Sequence, residues 1–161
     1  MTSTSILVTA LTSWLHLAAG SAALAPATPA PGELDRSAIE CEVMAVLDEF
    51  MVAFNGMDMA AWEATLHFPH YRLAGAGMTV LEAPGQRDGA ALEARLEATG
   101  WHHSAWDRRE IVHLGSDKVH VDTRFVRYRA DGSVLAAYDS LYVLTRENGR
   151  WGIKLRSSFA P

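Results

Sequence analysis

A chain of 161 residues, 49% apolar and 20% charged, has material for one globular domain with its own core plus a short appendage, and too little for two. Its formal charge of −5 is spread along the chain, with no Lys/Arg cluster able to neutralise a row of phosphates, which excludes a nucleic-acid surface. Cys41 is the single cysteine, so no intramolecular disulfide forms, and between Glu40 and Glu42 it reads as a small helix residue rather than a reactive thiolate.

Residues Ile6 to Ala25 carry no Asp, Glu, Lys or Arg and run into Pro26-Ala27-Thr28-Pro29-Ala30-Pro31, which cannot continue a helix. Residues 1–32 read either as a signal peptide with linker or as a disordered leader on a cytoplasmic protein. Small-residue cleavage sites fit at Ala25-Pro26-Ala27 or Gly20-Ser21-Ala22, but the first basic residue is Arg36, so a basic n-region is missing. Thr9, Thr12, Ser13, His16 and Ser21 interrupt a stretch barely as long as the ~20 residues a bilayer requires, and no stable membrane span is expected.

The domain occupies 33–161. Ile39, Val43, Val46, Leu47, Phe50, Met51 and Phe54 recur at steps of three and four, predicting a first helix that Ser37 and Glu40 begin as a capping box and Asn55-Gly56 ends. Asp58 caps a short second helix through Trp62 to about Leu66, and a third follows Asp88, with Leu92 and Leu96 one turn apart and Gly100 beyond its end. Short strands near 70–74 and 78–82 lie between them. After Gly100 the pattern changes to alternation, with strands near 102–113, 118–129, 133–146 and 150–159 separated by Gly115-Ser116-Asp117, Asp131-Gly132 and Asn148-Gly149. The fold class is α+β: a strongly curved antiparallel sheet with about three helices on its concave face, leaving a hollow at the wide end for a ligand.

This element order, with Asp58 after the first helix and Gly149-Arg150-Trp151-Gly152-Ile153 in the last strand, resembles the nuclear-transport-factor-2-like superfamily over about 125 residues. That superfamily includes ketosteroid isomerase, scytalone dehydratase, SnoaL-like polyketide cyclases and the association domain of calmodulin-dependent kinase. Laid on the isomerase from Asp58, the chain has Phe50 where the oxyanion tyrosine belongs and Ala74 where the general-base aspartate belongs, so dienone isomerisation by that machinery is not expected. The same resemblance implies an inward face made of His70, Arg72, Asp122, Arg124, Val126, Tyr128, Ala137, Asp139 and Leu141, followed by Arg156 and Ser158. A one-residue slip would instead turn Val121, Phe125, Trp151, Ile153 and Leu155 inward and leave the charges in water; both registers are open.

On the first register His70, Asp139 and Tyr128 are the candidate catalytic groups, and Arg72, Arg124, His103, Trp106 and Arg156 the candidate ligand contacts. Histidine titrates near neutral pH and scytalone-dehydratase-like relatives use histidines in this hollow, while Arg72 keeps its charge and would hold an anion. No metal is expected, because His102 and His103 are adjacent on a strand and point to opposite faces. No cofactor is expected either, since Gly75-Ala76-Gly77 lacks the Gly, Lys and helix of a phosphate loop. Three functions fit: a cofactor-free isomerase, cyclase or dehydratase working by proton transfer on a small molecule, a non-catalytic ligand-binding module, or a dimerisation module. The resemblance also implies a homodimer.

Overall fold

The computed structural model describes residues 35–161. The expected leader, residues 1–32, lies with its cleavage sites outside the described residues. Helix α1 (Arg36–Asn55) buries Ile39, Val43, Leu47 and Phe50 along one stripe, as their spacing requires. Its cap is Asp35, whose carboxylate accepts from the Ala38 amide at 3.0 Å, so the Ser37–Glu40 box is displaced by one charged acceptor placed just ahead of it. Asp58 and Asp88 cap α2 (Met59–Ala64) and α3 (Gly89–Glu97) in the same way, each accepting at 2.9 Å from the amide three residues on.

Six strands follow the order β2-β1-β6-β5-β4-β3, with β1 Leu66–Ala74, β2 Gly77–Leu81, β3 His103–Leu114, β4 Lys118–Tyr128, β5 Val134–Glu147 and β6 Arg150–Ser158. The sheet is curved and unclosed. Four of its junctions are antiparallel, but β1 runs parallel to β6, a pairing the long intervening chain permits. Strand β1 starts four residues before the expected position 70. Pro69 is tolerated inside it because the β1–β6 register breaks between Leu66 and Tyr71, where no ladder bond asks for its missing N–H. Asn148 and Gly149, at φ 53° and 79°, make the two-residue turn between β5 and β6, whose twist demands positive φ at both positions.

Two bulges decide which side chains reach the interior. Between Arg127 paired with Ala136 and Tyr128 paired with Val134, strand β5 carries an extra residue, Leu135. Between Ile153 paired with Leu144 and Leu155 paired with Val143, strand β6 carries Lys154 in excess. The inner face therefore runs Val119, Val121, Thr123, Phe125 and Arg127 on β4 and Tyr138, Ser140, Tyr142 and Leu144 on β5. On β6 it runs Trp151 and Ile153, changes parity at Lys154, and continues with Arg156 and Ser158. Leu47, Tyr142, Leu144, Val119, Val121 and Ile153 are almost wholly buried and form the floor of the core against α1.

Candidate functional site

Between α1, α3 and the inner face of the sheet lies a cavity of about 150 Å³. Its apolar wall comes from Phe50 and Phe54 of α1, Leu92 and Leu96 of α3, and Phe125 and Tyr142 of the sheet. Its polar wall is five arginines, Arg72 on β1, Arg87 before α3, Arg95 on α3, Arg127 on β4 and Arg156 on β6, with the hydroxyl residues Thr99, Ser104 and Ser158. Among the described residues no Asp, Glu or His side chain lines it. Asn55, at the end of α1, exchanges two hydrogen bonds of 2.8 Å with the main chain of Ser104 on β3 and so pins the helix beside the cavity.

The arginines are unusual in what they lack. Among the described residues none of the five forms an ion pair with a side-chain carboxylate. The Nε atoms of Arg72, Arg127 and Arg156 are buried without an acceptor. Arg72 donates through Nη2 to the Ala160 carbonyl oxygen and to the main-chain carboxylate oxygen of Pro161, both at 3.0 Å. Arg156 lies over the rings of Phe50 and Tyr142, at 5.6 and 5.7 Å, and Arg127 over Tyr138 and Phe125, at 5.2 and 5.9 Å, so aromatic faces supply part of what a carboxylate would. Burial, then the charges of Arg156 and Arg87, brings Arg72 down to about 10; burial also lowers Arg87 and Arg127. All three stay cationic at neutral pH, in a cluster whose members repel one another.

His70 points inward, as expected from β1, but deeper than the cavity. It is 2% exposed, packs edge-on against Trp62, and its Nδ1 meets the Ile153 carbonyl oxygen at 3.0 Å. Burial, aided by the charges of Arg156, Arg72 and Arg87, lowers its pKa to about 4 even though the Ile153 bond opposes the shift. The ring is neutral at pH 7, with Nδ1–H the donor to that carbonyl.

Arg72 and Arg156 reach the cavity, and they sit side by side as register partners on β1 and β6. The other expected contacts do not. Arg124 and Asp139 are on the outer face, where Arg124 bonds Asp139 at 3.3 Å and Asp107 at 3.2 Å and Arg108 bonds Asp122 at 2.6 Å. Val126, Tyr128, Ala137 and Leu141 share that face. His103 stacks on Tyr128 there, with ring centroids 5.0 Å apart. Trp106 faces inward but is part of the core, donating to the Leu47 carbonyl at 3.2 Å and meeting Tyr142 edge-on. Two physical causes reverse the expected face of β4 and β5. On β5 the count from Gly132 crosses the bulge at Leu135, and on both strands burying Val119, Val121 and Phe125 while leaving the ion pairs in water is the lower-energy choice. Leu155, placed inward by the slipped register, also lies outside, because the bulge at Lys154 gives each half of β6 the opposite parity. Arg87, Arg95 and Arg127 were not anticipated; Arg127 follows from the alternation Val121, Thr123, Phe125 once that face is known to be the inner one. Among the described residues no three His, Cys, Asp or Glu side chains converge as metal ligands.

Residues 40–156 match the model of the family described as NTF2-like protein (DUF6841). A search of curated proteins gives no match. Among solved structures, a cystatin-like-fold protein from Nostoc punctiforme superposes with a TM-score of 0.62 at 14% identity, covering 74% of this chain and 89% of that one. An NTF2-like protein from Novosphingobium aromaticivorans gives 0.60 at 14%, covering 80% and 90%. A ketosteroid isomerase-like protein from Erwinia carotovora gives 0.54 at 22%, covering 75% and 96%. At these identities the structural likenesses speak for the cystatin-like cone alone, a fold that commonly serves small-molecule binding or ketosteroid-isomerase-like catalysis. The match over residues 40–156 is what makes this chain a member of the NTF2-like family.

Proposed function

We propose that the domain binds a small molecule in the arginine-lined cavity without performing acid–base chemistry on it. The observation that carries this reading is the composition of the wall: guanidinium groups, aromatic rings, aliphatic side chains and a few hydroxyls, with no carboxylate or imidazole side chain among the described residues to move a proton. His70, one step deeper, is a weak base at about 4 and uses Nδ1 on the Ile153 carbonyl. The volume of about 150 Å³ suits a molecule of one ring.

Phenylpyruvate, which has one ring, one carboxylate and an enolisable methylene, is a suitable probe. The expected result is a rise in melting temperature on addition of phenylpyruvate, with deuterium uptake at its methylene in D₂O no faster than in buffer alone. Exchange accelerated by the protein and abolished by His70→Gln would replace the binding reading with a proton-transfer enzyme.

A further inference from the structure

Resting on that binding reading, we infer that the ligand is a small organic dianion: one apolar ring or comparable planar body carrying two carboxylate groups. Five guanidinium groups surround one cavity, and among the described residues only the main-chain terminus at Pro161, beside Arg72, offers them a carboxylate. A single carboxylate meets one guanidinium fork, or two at most, and would leave most of this charge uncompensated.

Three of the arginines also fall into two stations. Arg156 and its register partner Arg72 occupy one, where Arg156 lies over Phe50 and Tyr142 and donates to the Tyr142 hydroxyl at 3.4 Å. Arg127 occupies the other, over Tyr138 and Phe125. Tyr142 and Tyr138 are four residues apart on β5, about 13 Å along the strand. Arg127 is near enough to Arg156 and Arg95 for their charges to depress it. An aromatic floor with a cationic station at each end fits a body with an acidic group at each end. Inorganic anions would satisfy the charge but leave Phe50, Phe54, Leu92 and Phe125 facing water, so the structure assigns an organic acid.

The test is calorimetric titration with isophthalate, benzoate, dimethyl isophthalate and sulfate, each at low and moderate salt. Isophthalate should bind one to one, about tenfold or more tighter than benzoate, and weaken as salt rises. Arg127→Gln and Arg156→Gln should each weaken isophthalate by about tenfold or more, with circular dichroism and melting temperature unchanged or improved. Equal affinity for the dimethyl ester would overturn the dianion and leave the binding reading standing. Sulfate binding as tightly as isophthalate would overturn the organic body. Absence of heat from all four would overturn the inference outright, and the phenylpyruvate melting shift would then decide separately whether the cavity binds anything.

Discussion

His70 shows how little a residue's type says about its task until its surroundings are known. Histidine beside arginine on an inward strand reads as a proton carrier, yet here the ring is buried against Trp62 with its pKa lowered from 6.5 to about 4, first by desolvation. The consequence is one of stability. Between pH 6.5 and about 4 the unfolded chain takes up a proton that the native ring refuses. The contribution is therefore complete above 6.5 and lost as pH falls toward 4; over that interval it amounts to something on the order of 3 kcal/mol. Burial lowers His67 too, so it adds in the same direction. His70→Gln keeps a donor for the Ile153 carbonyl but cannot titrate. Urea unfolding at about pH 7.5 and about pH 4.5 should show wild type losing more stability than this variant; parallel losses would mean that His70 is not held neutral. At this scale the sequence was legible for Arg72 and Arg156, which reach the cavity, and illegible for Asp139, Arg124 and Tyr128, whose outward placement depends on register rather than on residue type.

The elements themselves were easier to read than their faces. Helical spacing, the aspartates at 58 and 88, and the turn at Asn148-Gly149 are local signals, and each element lies within a few residues of its expected position except β1, which continues back through Pro69. A bulge leaves no such mark. Nothing in Ile153-Lys154-Leu155 announces an extra residue, although it is this residue that lets Trp151 and Ile153 fill the core while Arg156 and Ser158 turn to the cavity. Both registers open in the sequence were thus half right for β6. Helix α3 contributes two of the apolar wall residues and Arg95 on only nine residues of helix, so its cap matters more than on a long helix. Asp88→Ala should cost roughly 1 kcal/mol of stability and loosen α3 first. Hydrogen exchange should show faster opening at the amides of residues 91–97 with β4 and β5 unchanged, whereas uniform acceleration would show that the cap supports the whole domain.

For the molecule as a whole, the outer sheet face combines the ion pairs around Arg124 with half-buried Tyr71, Leu73, Leu141, Val143 and Leu155. We propose that this face forms a homodimer; sedimentation of a monomer at micromolar concentration, unaffected by Val143→Glu, would argue against it. The inner face poses a sharper question, because a domain of this size has a net stability of only about 5–15 kcal/mol and yet keeps five arginines around one small cavity. Mutual repulsion and buried Nε–H groups without acceptors oppose folding, and only Arg72 and Arg156 of the five donate side-chain hydrogen bonds within the described residues, while Phe50, Phe125 and Tyr142 already close the core. Such a cost is retained where a ligand offsets it. Arg127 is the cleanest place to test this, since among the described residues its guanidinium has no ion pair and lies over the rings of Phe125 and Tyr138. Arg127→Met preserves length and apolar contact while removing the charge. It should raise stability by roughly 1–3 kcal/mol in the absence of ligand and at the same time weaken isophthalate binding by about tenfold or more. Saturating isophthalate should then narrow or reverse the difference, because the ligand stabilises only the protein that binds it. A variant less stable than wild type without ligand would show that stacking on Tyr138 outweighs the unpaired charge, and the arginine cluster would have to be explained as structure rather than as a site.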